Sequence, residues 1–202
     1  MSQLSRPSTR FIGRDSELTQ LEALSREGAR MITLWGPPGV GKTRLALEFA
    51  ATQGERYPGG VWIVSLSEVS NLDDLCNSLS KTLDINLGGR EPIDVFAQRL
   101  GRWQKSLLIL DGFDRLVESA GRWVQELLAQ VARIDVLVTS RRRLKLAVES
   151  PCEIGPLVRH ADAFFTDRLR SVMPGFEPDA EQRETISRIA QRLDCIPLGL
   201  EI

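Results

Sequence analysis

The fold of this 202-residue chain is decided by the stretch Gly36-Pro37-Pro38-Gly39-Val40-Gly41-Lys42-Thr43. Its glycines stand at the first, fourth and sixth positions and a lysine and a hydroxyl residue follow, as in the pattern G-x-x-x-x-G-K-[ST]. An apolar run, residues 31–35, precedes the stretch, and a segment with helical apolar periodicity follows it. A glycine-rich loop between a buried strand and a helix lets main-chain N–H groups surround a phosphate chain.

The loop predicts a site for ATP or ADP with Mg²⁺. Its glycines permit the close approach and the unusual dihedral angles that a wrapped phosphate chain requires. We expect Lys42 to contact the β and γ phosphates and the Thr43 hydroxyl to ligate Mg²⁺. The competing interpretation is a glycine-rich turn with an exposed lysine, which the flanking strand and helix disfavour. The predicted nucleotide contacts here are Gly36, Pro37, Pro38, Gly39, Val40, Gly41, Lys42, Thr43 and Arg44.

Polar residues follow two further apolar runs of the sequence. Residues 107–110 end in Asp111, which in a parallel sheet would lie beside the phosphate loop and hold Mg²⁺ through its water shell. Asp114 is a candidate for orienting and deprotonating the attacking water, with a helix N-cap as its alternative role. The other run, residues 136–140, is followed by Arg141, which we expect to contact the γ-phosphate. The predicted catalytic residues are Lys42, Asp111, Asp114 and Arg141.

Hydrophobic spacing predicts alternating strands and helices over most of the chain. The predicted strands are residues 30–35, 61–66, 106–110, 135–140 and a short run at 152–154. The predicted helices are residues 15–27, capped by Asp15 or Ser16, and residues 42–53, 72–83, 92–103 and 123–132. Alternating elements with uninterrupted apolar strands indicate an α/β fold with a parallel sheet covered on both faces.

The character of the sequence changes at Gly155, after which prolines punctuate helical segments. Residues 157–172 and 179–193 are predicted helices of a small all-α unit. We therefore divide the chain into a nucleotide-binding domain at residues 1–155 and a helical lid at residues 156–202. Because the sequence stops within an apolar helix start, we expect this lid to be incomplete.

Composition excludes several function classes. The chain has 42% hydrophobic and 26% charged residues and a net charge of −1, so it lacks the basic excess of most nucleic-acid binders. Its three cysteines are far apart and it has one histidine, His160, which argues against a disulfide framework, a zinc site or histidine catalysis. No apolar run is long enough to span a membrane. We expect a cytoplasmic protein that contacts neither membrane nor nucleic acid through this segment.

The motifs, in this order, resemble the STAND class of signalling P-loop ATPases, which includes NB-ARC and NACHT modules. The likeness is to the nucleotide-binding modules of large bacterial ATP-dependent transcriptional activators. The matching pieces are residues 11–18, 34–46, 108–114, 138–141 and 196–201. The small Gly112 directly after Asp111 is also typical of this class.

The resemblance implies a three-layer P-loop NTPase fold with a five-stranded parallel sheet, followed by a helical lid. The strand at residue 136 would lie between those at residues 31 and 107. Ile12, Gly13 and Arg14 would pack against adenine, Pro197 would close over the nucleotide, and Arg141 would act as the sensor. The family also implies winged-helix and repeat sensor domains downstream in a longer parent protein. Self-association when ATP is bound is an open alternative at this point.

Departures from the family pattern affect the expected activity. Arg115 follows Asp114 where family members often carry an acid, and Cys195 replaces a common glycine. His160 is in the wrong place to replace the winged-helix histidine that clamps ADP. The sequence predicts a signalling switch with slow Mg-dependent ATP hydrolysis that regulates a larger transcriptional or signalling protein. The alternative is a nucleotide-binding scaffold with negligible hydrolysis; a small-molecule kinase and a DNA-binding module are disfavoured.

Overall fold

A computed structural model describes residues 9–201 of the chain. Its strands are β1 (Met31–Trp35), β2 (Val61–Ser65), β3 (Ser106–Asp111), β4 (Ile134–Ser140) and β5 (Glu149–Glu153). They form one sheet in the order β2-β3-β4-β1-β5, and every pairing is parallel. The predicted α/β P-loop NTPase fold is thus confirmed, including the insertion of β4 between β1 and β3.

Helices cover both faces of the sheet. They are α1 (Asp15–Arg26), α2 (Lys42–Thr52), α3 (Leu72–Leu83), α4 (Pro92–Leu100), α5 (Val117–Gln130), α6 (Ala161–Val172) and α7 (Ala180–Arg192). One apolar cluster joins the sheet to α3, α4 and α5, and a second joins its other face to α1 and α2. Short 3₁₀ turns occur at Gly54–Arg56, Phe113–Arg115 and Pro197–Leu200.

Strand β4 shows why the sheet needs both layers. All seven of its residues are buried, because a neighbouring strand lies on each side and a helical layer on each face. Val136 and Val138 belong to one apolar cluster and Leu137 to the other, as the alternation of side chains along a strand requires. The sheet is therefore held from both faces at its centre, where β4 separates β1 from β3.

The helical part after β5 has an apolar cluster of its own. The buried members of this cluster are Leu157, Ala161, Phe164, Phe165, Ile186, Ala190 and Leu200. They come from α6, α7 and the flanking turns, so these elements pack on one another. The division at residues 155 and 156 remains a prediction, and its outer ends, residues 1–8 and 202, lie outside the described residues.

Several predicted boundaries were wrong. Helix α5 begins at Val117 rather than at residue 123, because the small residues Ala120 and Gly121 are buried and give no apolar periodicity. Helix α4 ends at Leu100, where Gly101 follows, rather than at residue 103. The N-cap of α1 is Arg14, which caps with no side-chain hydrogen bond, rather than Asp15 or Ser16.

Two further boundaries near the lid were also wrong. Helix α6 begins at Ala161 rather than at residue 157, and β5 covers Glu149–Glu153 rather than residues 152–154. Strand β5 contains Pro151, which an edge strand tolerates. Within the described residues, no helix has both the length and the apolarity that crossing a membrane requires.

The core of the sheet gives a stability prediction. Ile109 on β3 is 1% exposed, and we expect Ile109→Val to lower the free energy of unfolding by about 1 kcal/mol and Ile109→Ala by about 2–5 kcal/mol, since the cavity grows with each carbon removed. Urea denaturation measures both. The control is Val158→Ala, because Val158 is 71% exposed. Equal effects of Ile109→Ala and Val158→Ala would contradict the packing described here.

Candidate functional site

The loop between β1 and α2 presents unpaired main-chain donors. Gly39 and Gly41 have φ angles of +77° and +92°, a region that favours glycine. Among the described residues, no acceptor receives a hydrogen bond from the N–H groups of Gly39 to Arg44. The first N–H groups of a helix have no partner within it, and its N-terminal end is electropositive. The loop and the start of α2 therefore form a concave set of donors suited to an anion.

Gly36 anchors the loop against the neighbouring strands. Its N–H donates to Ser140 O at 3.2 Å, and Ile154 N donates to Trp35 O at 2.7 Å. A Cβ atom at position 36 would lie 2.1 Å from Ile154 O, so only glycine fits this close approach. The start of the loop is thus fixed between β4 and the end of β5.

The Lys42 ammonium group folds back over the loop. Its Nζ donates to Gly36 O at 2.9 Å and to Pro37 O at 2.8 Å. Burial lowers the pKa of Lys42 below its ordinary value, and Arg141 lowers it further, whereas Asp114 and Asp111 oppose the shift. The cation is therefore held at the start of the loop by two main-chain carbonyls.

Asp111 links the ends of three elements. Its Oδ1 accepts from Thr43 Oγ1 and from Thr139 Oγ1, each at 2.6 Å, and Gly112 N donates to Thr139 Oγ1 at 2.9 Å. The predicted metal residues Thr43 and Asp111 are therefore in direct contact. Their donor set, a carboxylate and a hydroxyl beside a phosphate loop, is the oxygen chemistry that Mg²⁺ prefers, so these residues fit the ion.

Asp114 and Arg141 bind each other. Asp114 Oδ1 accepts from the main-chain N–H of Arg141 and, at 3.4 Å, from Ser140 Oγ. Arg141 Nε lies 3.9 Å from Asp114 Oδ2, and the Arg141 side chain is 69% exposed. Asp114 sits in the 3₁₀ turn after β3, so the two predicted catalytic residues hold the tips of β3 and β4 together.

A cavity of about 370 Å³ opens beside the phosphate loop and is bounded by both parts of the chain. Of the predicted contacts, it is lined by Ile12, Arg14, Gly39, Val40, Gly41, Lys42, Thr43, Arg44 and Pro197. Phe11, Leu157 and Phe164 add apolar walls. Its size and mixed lining are typical of small-molecule pockets, which run from about 300 to 1,000 Å³. Gly36, Pro37, Pro38, Asp111, Asp114 and Arg141 lie outside this lining, toward the strand tips.

Arg14 is committed to main-chain carbonyls. Its Nη2 donates to Val40 O at 2.9 Å and to Gly155 O at 2.6 Å, and its Nη1 pairs with Glu17. Burial raises the pKa of Glu17, but hydrogen bonds from Ser16 and Arg14 outweigh this and leave it lowered. The guanidinium thus joins α1, the phosphate loop and the connection to the lid.

Gly13 lies away from the cavity beside the loop. A Cβ at position 13, where φ is +74°, would lie 2.4 Å from the Cβ of His160. His160 is the N-cap residue of α6 and is exposed. The structure thus brings Ile12 and Arg14 to the phosphate loop and sets Gly13 against the lid.

Two contacts at the site escaped the sequence analysis. Leu198, in the turn Pro197–Leu200, donates its N–H to Gly39 O at 3.1 Å and ties the helical part to the phosphate loop. Arg168 on α6 is 6% exposed and lines the same cavity. The sequence offered one signal for Arg168, its place on a predicted helix that has an apolar face. No local pattern in the sequence predicts the hydrogen bond of the Leu198 main chain.

The chain is similar to one protein family and to two relatives of known sequence. A family model described as AAA domain matches residues 25–148. An uncharacterized protein of Mycobacterium tuberculosis is 32% identical over 197 residues, which cover 96% of this chain and 50% of that protein. A second protein of M. tuberculosis, whose name proposes an HTH-type transcriptional regulator, is 29% identical over 85% of this chain and 20% of its own length. The chain thus spans about half of one relative and a fifth of the other.

Two solved structures share the fold. Cdc6p from Pyrobaculum aerophilum superposes with a TM-score of 0.67 at 16% identity, over 94% of this chain and 56% of that one. A STAND protein with a tetratricopeptide repeat sensor from Pyrococcus horikoshii gives a TM-score of 0.56 at 18% identity, over 97% of this chain and 30% of that one. At these identities the likeness extends to the fold alone.

The Arg14 contacts predict a stability effect. We expect Arg14→Met to lower the free energy of unfolding by about 3 kcal/mol, because hydrogen bonds to a charged group contribute about 1.5–3 kcal/mol each and Glu17 loses its partner. Urea denaturation measures the change. Arg26→Met is the matched control, since Arg26 pairs with Glu22 on the surface of the same helix and its side chain is 70% exposed. Equal free energies of unfolding for Arg14→Met and Arg26→Met would contradict a stabilising role of the Arg14 contacts.

Proposed function

The chain belongs to the AAA domain family of P-loop ATPases, and from this premise we propose that it is a nucleotide-dependent switch that binds ATP or ADP and hydrolyses ATP slowly. One observation carries the proposal. The N–H groups of Gly39 to Arg44 have no acceptor among the described residues, and the Lys42 ammonium group is held at two carbonyls of the same loop. The turn that begins at Pro197 is hydrogen-bonded to this loop as well.

Phosphate binding follows from the donors of the loop. The main-chain N–H groups and the N-terminal end of α2 hold the phosphate oxygens by charge-assisted hydrogen bonds. The Lys42 ammonium exchanges Gly36 O and Pro37 O for oxygens of the β and γ phosphates. Since both carbonyls are neutral and phosphate is an anion, this exchange favours the bound state.

Asp111 and Thr43 are the residues that would hold Mg²⁺. The Thr43 hydroxyl, which donates to Asp111 Oδ1, would offer its oxygen as a ligand, and Thr139 would keep the Asp111 carboxylate in place. Mg²⁺, when bound, neutralises negative charge on the β and γ phosphates.

Hydrolysis requires a base and a cation at the tips of β3 and β4. Asp114 orients the attacking water and accepts its proton, and Arg141 donates to the γ-phosphate. Both roles require the Asp114–Arg141 contact to loosen, because the Asp114 carboxylate accepts from Arg141 N and Ser140 Oγ. This requirement, together with Arg115 in place of a second acid, accounts for a slow reaction.

Switching would act through the helical lid. Leu198 N donates to Gly39 O, so the lid is bonded to the loop that holds the phosphates. In our proposal, ADP keeps the lid against the sheet domain, and exchange to ATP releases it until hydrolysis restores the ADP state.

The regulatory role is supported by the relatives. One of them bears a name that proposes an HTH-type transcriptional regulator, and this chain corresponds to 20% of its length. We propose that the module regulates a larger cytoplasmic protein of the STAND type. Winged-helix and repeat sensor domains, and self-association in the ATP state, belong to that proposal.

A second function, a nucleotide-binding scaffold with negligible hydrolysis, is favoured by the same Asp114 contact. If the Asp114 carboxylate keeps its hydrogen bonds to Arg141 N and Ser140 Oγ when ATP is bound, no base faces the γ-phosphate. Tight retention of ADP without phosphate release by the wild type would favour the scaffold.

Loss of the Lys42 cation tests binding. We expect Lys42→Met to weaken ATP and ADP binding by about 100-fold or more, because charge-assisted hydrogen bonds to the phosphates are lost. Titration calorimetry with Mg²⁺ present measures the affinity. Lys81→Met, which removes an exposed lysine on α3, is the control and should bind like wild type. Wild-type affinity in Lys42→Met would refute the assignment of the loop.

Replacement of Asp114 tests hydrolysis. We expect Asp114→Asn to lower the rate of phosphate release by about 100-fold or more while ATP affinity stays within a few-fold, because general-base catalysis contributes about that factor. Single-turnover phosphate release measures the rate. Glu118→Gln is the control, since the Glu118 side chain is 86% exposed and pairs only with Arg142 among the described residues. Equal rates in Asp114→Asn and wild type would exclude Asp114 as the base.

A further inference from the structure

Arg168 is a buried cation at the cavity beside the phosphate loop. It lies on α6, is 6% exposed, and lines the cavity together with Phe164 and Leu157. Its guanidinium carbon is 4.7 Å from the centre of the Phe164 ring, so the flat group is stacked on an aromatic wall of the cavity. The Arg168 side chain is therefore held in one orientation where helix α6 borders the cavity.

The hydrogen-bonding capacity of Arg168 exceeds what the described residues use. Nη2 donates to Arg10 O at 3.1 Å and lies 3.5 Å from Asp167 Oδ2. Nε is buried and has no hydrogen-bond partner. A buried donor without an acceptor is costly, and each such group in a native structure requires an explanation. Arg168 carries this cost at a cavity wall.

Arg168 comes from a different element than the phosphate-binding groups, since it lies on α6 and they lie in the loop and the start of α2. The cavity lining combines the loop residues from Gly39 to Arg44, Lys42 among them, with the apolar side chains of Phe11, Ile12 and Leu157. Flat apolar walls suit the ring of a nucleobase, whose nitrogens, like the ribose oxygens, are acceptors. A planar donor on α6 complements those acceptors.

We propose that Arg168 contacts the nucleoside of the bound nucleotide and is the contact through which helix α6 of the lid recognises it. This inference rests on the proposed function, because it presumes that a nucleotide occupies the phosphate loop. It adds a residue of the lid that contacts the nucleoside, whereas the loop residues contact the phosphates.

The inference is tested by comparing nucleotides with inorganic tripolyphosphate, which has the phosphates and no nucleoside. We expect Arg168→Met to bind ATP and ADP about 10- to 100-fold more weakly than wild type, the range of one hydrogen bond to a charged group, and to bind tripolyphosphate within about twofold of wild type. Titration calorimetry with Mg²⁺ present measures all three ligands. Arg170→Met is the matched control on the same helix, since Arg170 pairs with Glu177 away from this cavity.

The outcomes separate the inference from the function on which it rests. Equal weakening for ATP and tripolyphosphate, or no weakening of either, overturns the Arg168 assignment. Failure of wild type to bind any of the three ligands overturns the proposed function, and the inference with it. If Arg168→Met does not fold, Arg168→Lys is used instead, because lysine keeps the charge and the aliphatic part of the side chain but lacks the planar donors. The same selective loss for ATP and ADP is then expected, and its absence counts against the proposal.

Discussion

The parallel placement of β4 between β1 and β3 is the constraint on which the site depends. Because all the strands run the same way, the ends of β1, β3 and β4 meet at one edge of the sheet. The Thr139 hydroxyl secures this meeting, since it donates to Asp111 and accepts from Gly112 N. Residues distant in the sequence are thereby hydrogen-bonded to one another beside the glycine-rich loop.

Much of the fold could be predicted because its signals are local. The apolar run of β4 and the glycines of the loop each specify their own conformation, whereas strand order depends on pairings between distant segments. That order came from the family resemblance. The start of helix α5 was misjudged because Ala120 and Gly121 are buried but are too small to mark an apolar face in the sequence.

The site was predicted at its phosphate end and less well at its other end. Lys42 and Thr43 have fixed places in the loop motif, and Asp111 directly follows an apolar run, so these three residues carry local signals in the sequence. Arg14 and Arg168 are buried arginines whose partners, Val40 O, Gly155 O and Arg10 O, are main-chain atoms with no signature in the sequence. Burial of a charge depends on such partners, and only the folded chain reveals them.

The hydrogen bond from Leu198 to Gly39 restricts which residues position 39 can accept. A Cβ at position 39 would lie 2.8 Å from the Cβ of Leu198, whereas nothing lies within 4 Å of a Cβ at position 41. Gly41 is thus constrained by its backbone angle alone, and Gly39 by its backbone angle and by the approach of the lid. A larger residue at position 39 would therefore also require the segment around Leu198 to move. Substitutions at positions 39 and 198 should accordingly occur together in related proteins.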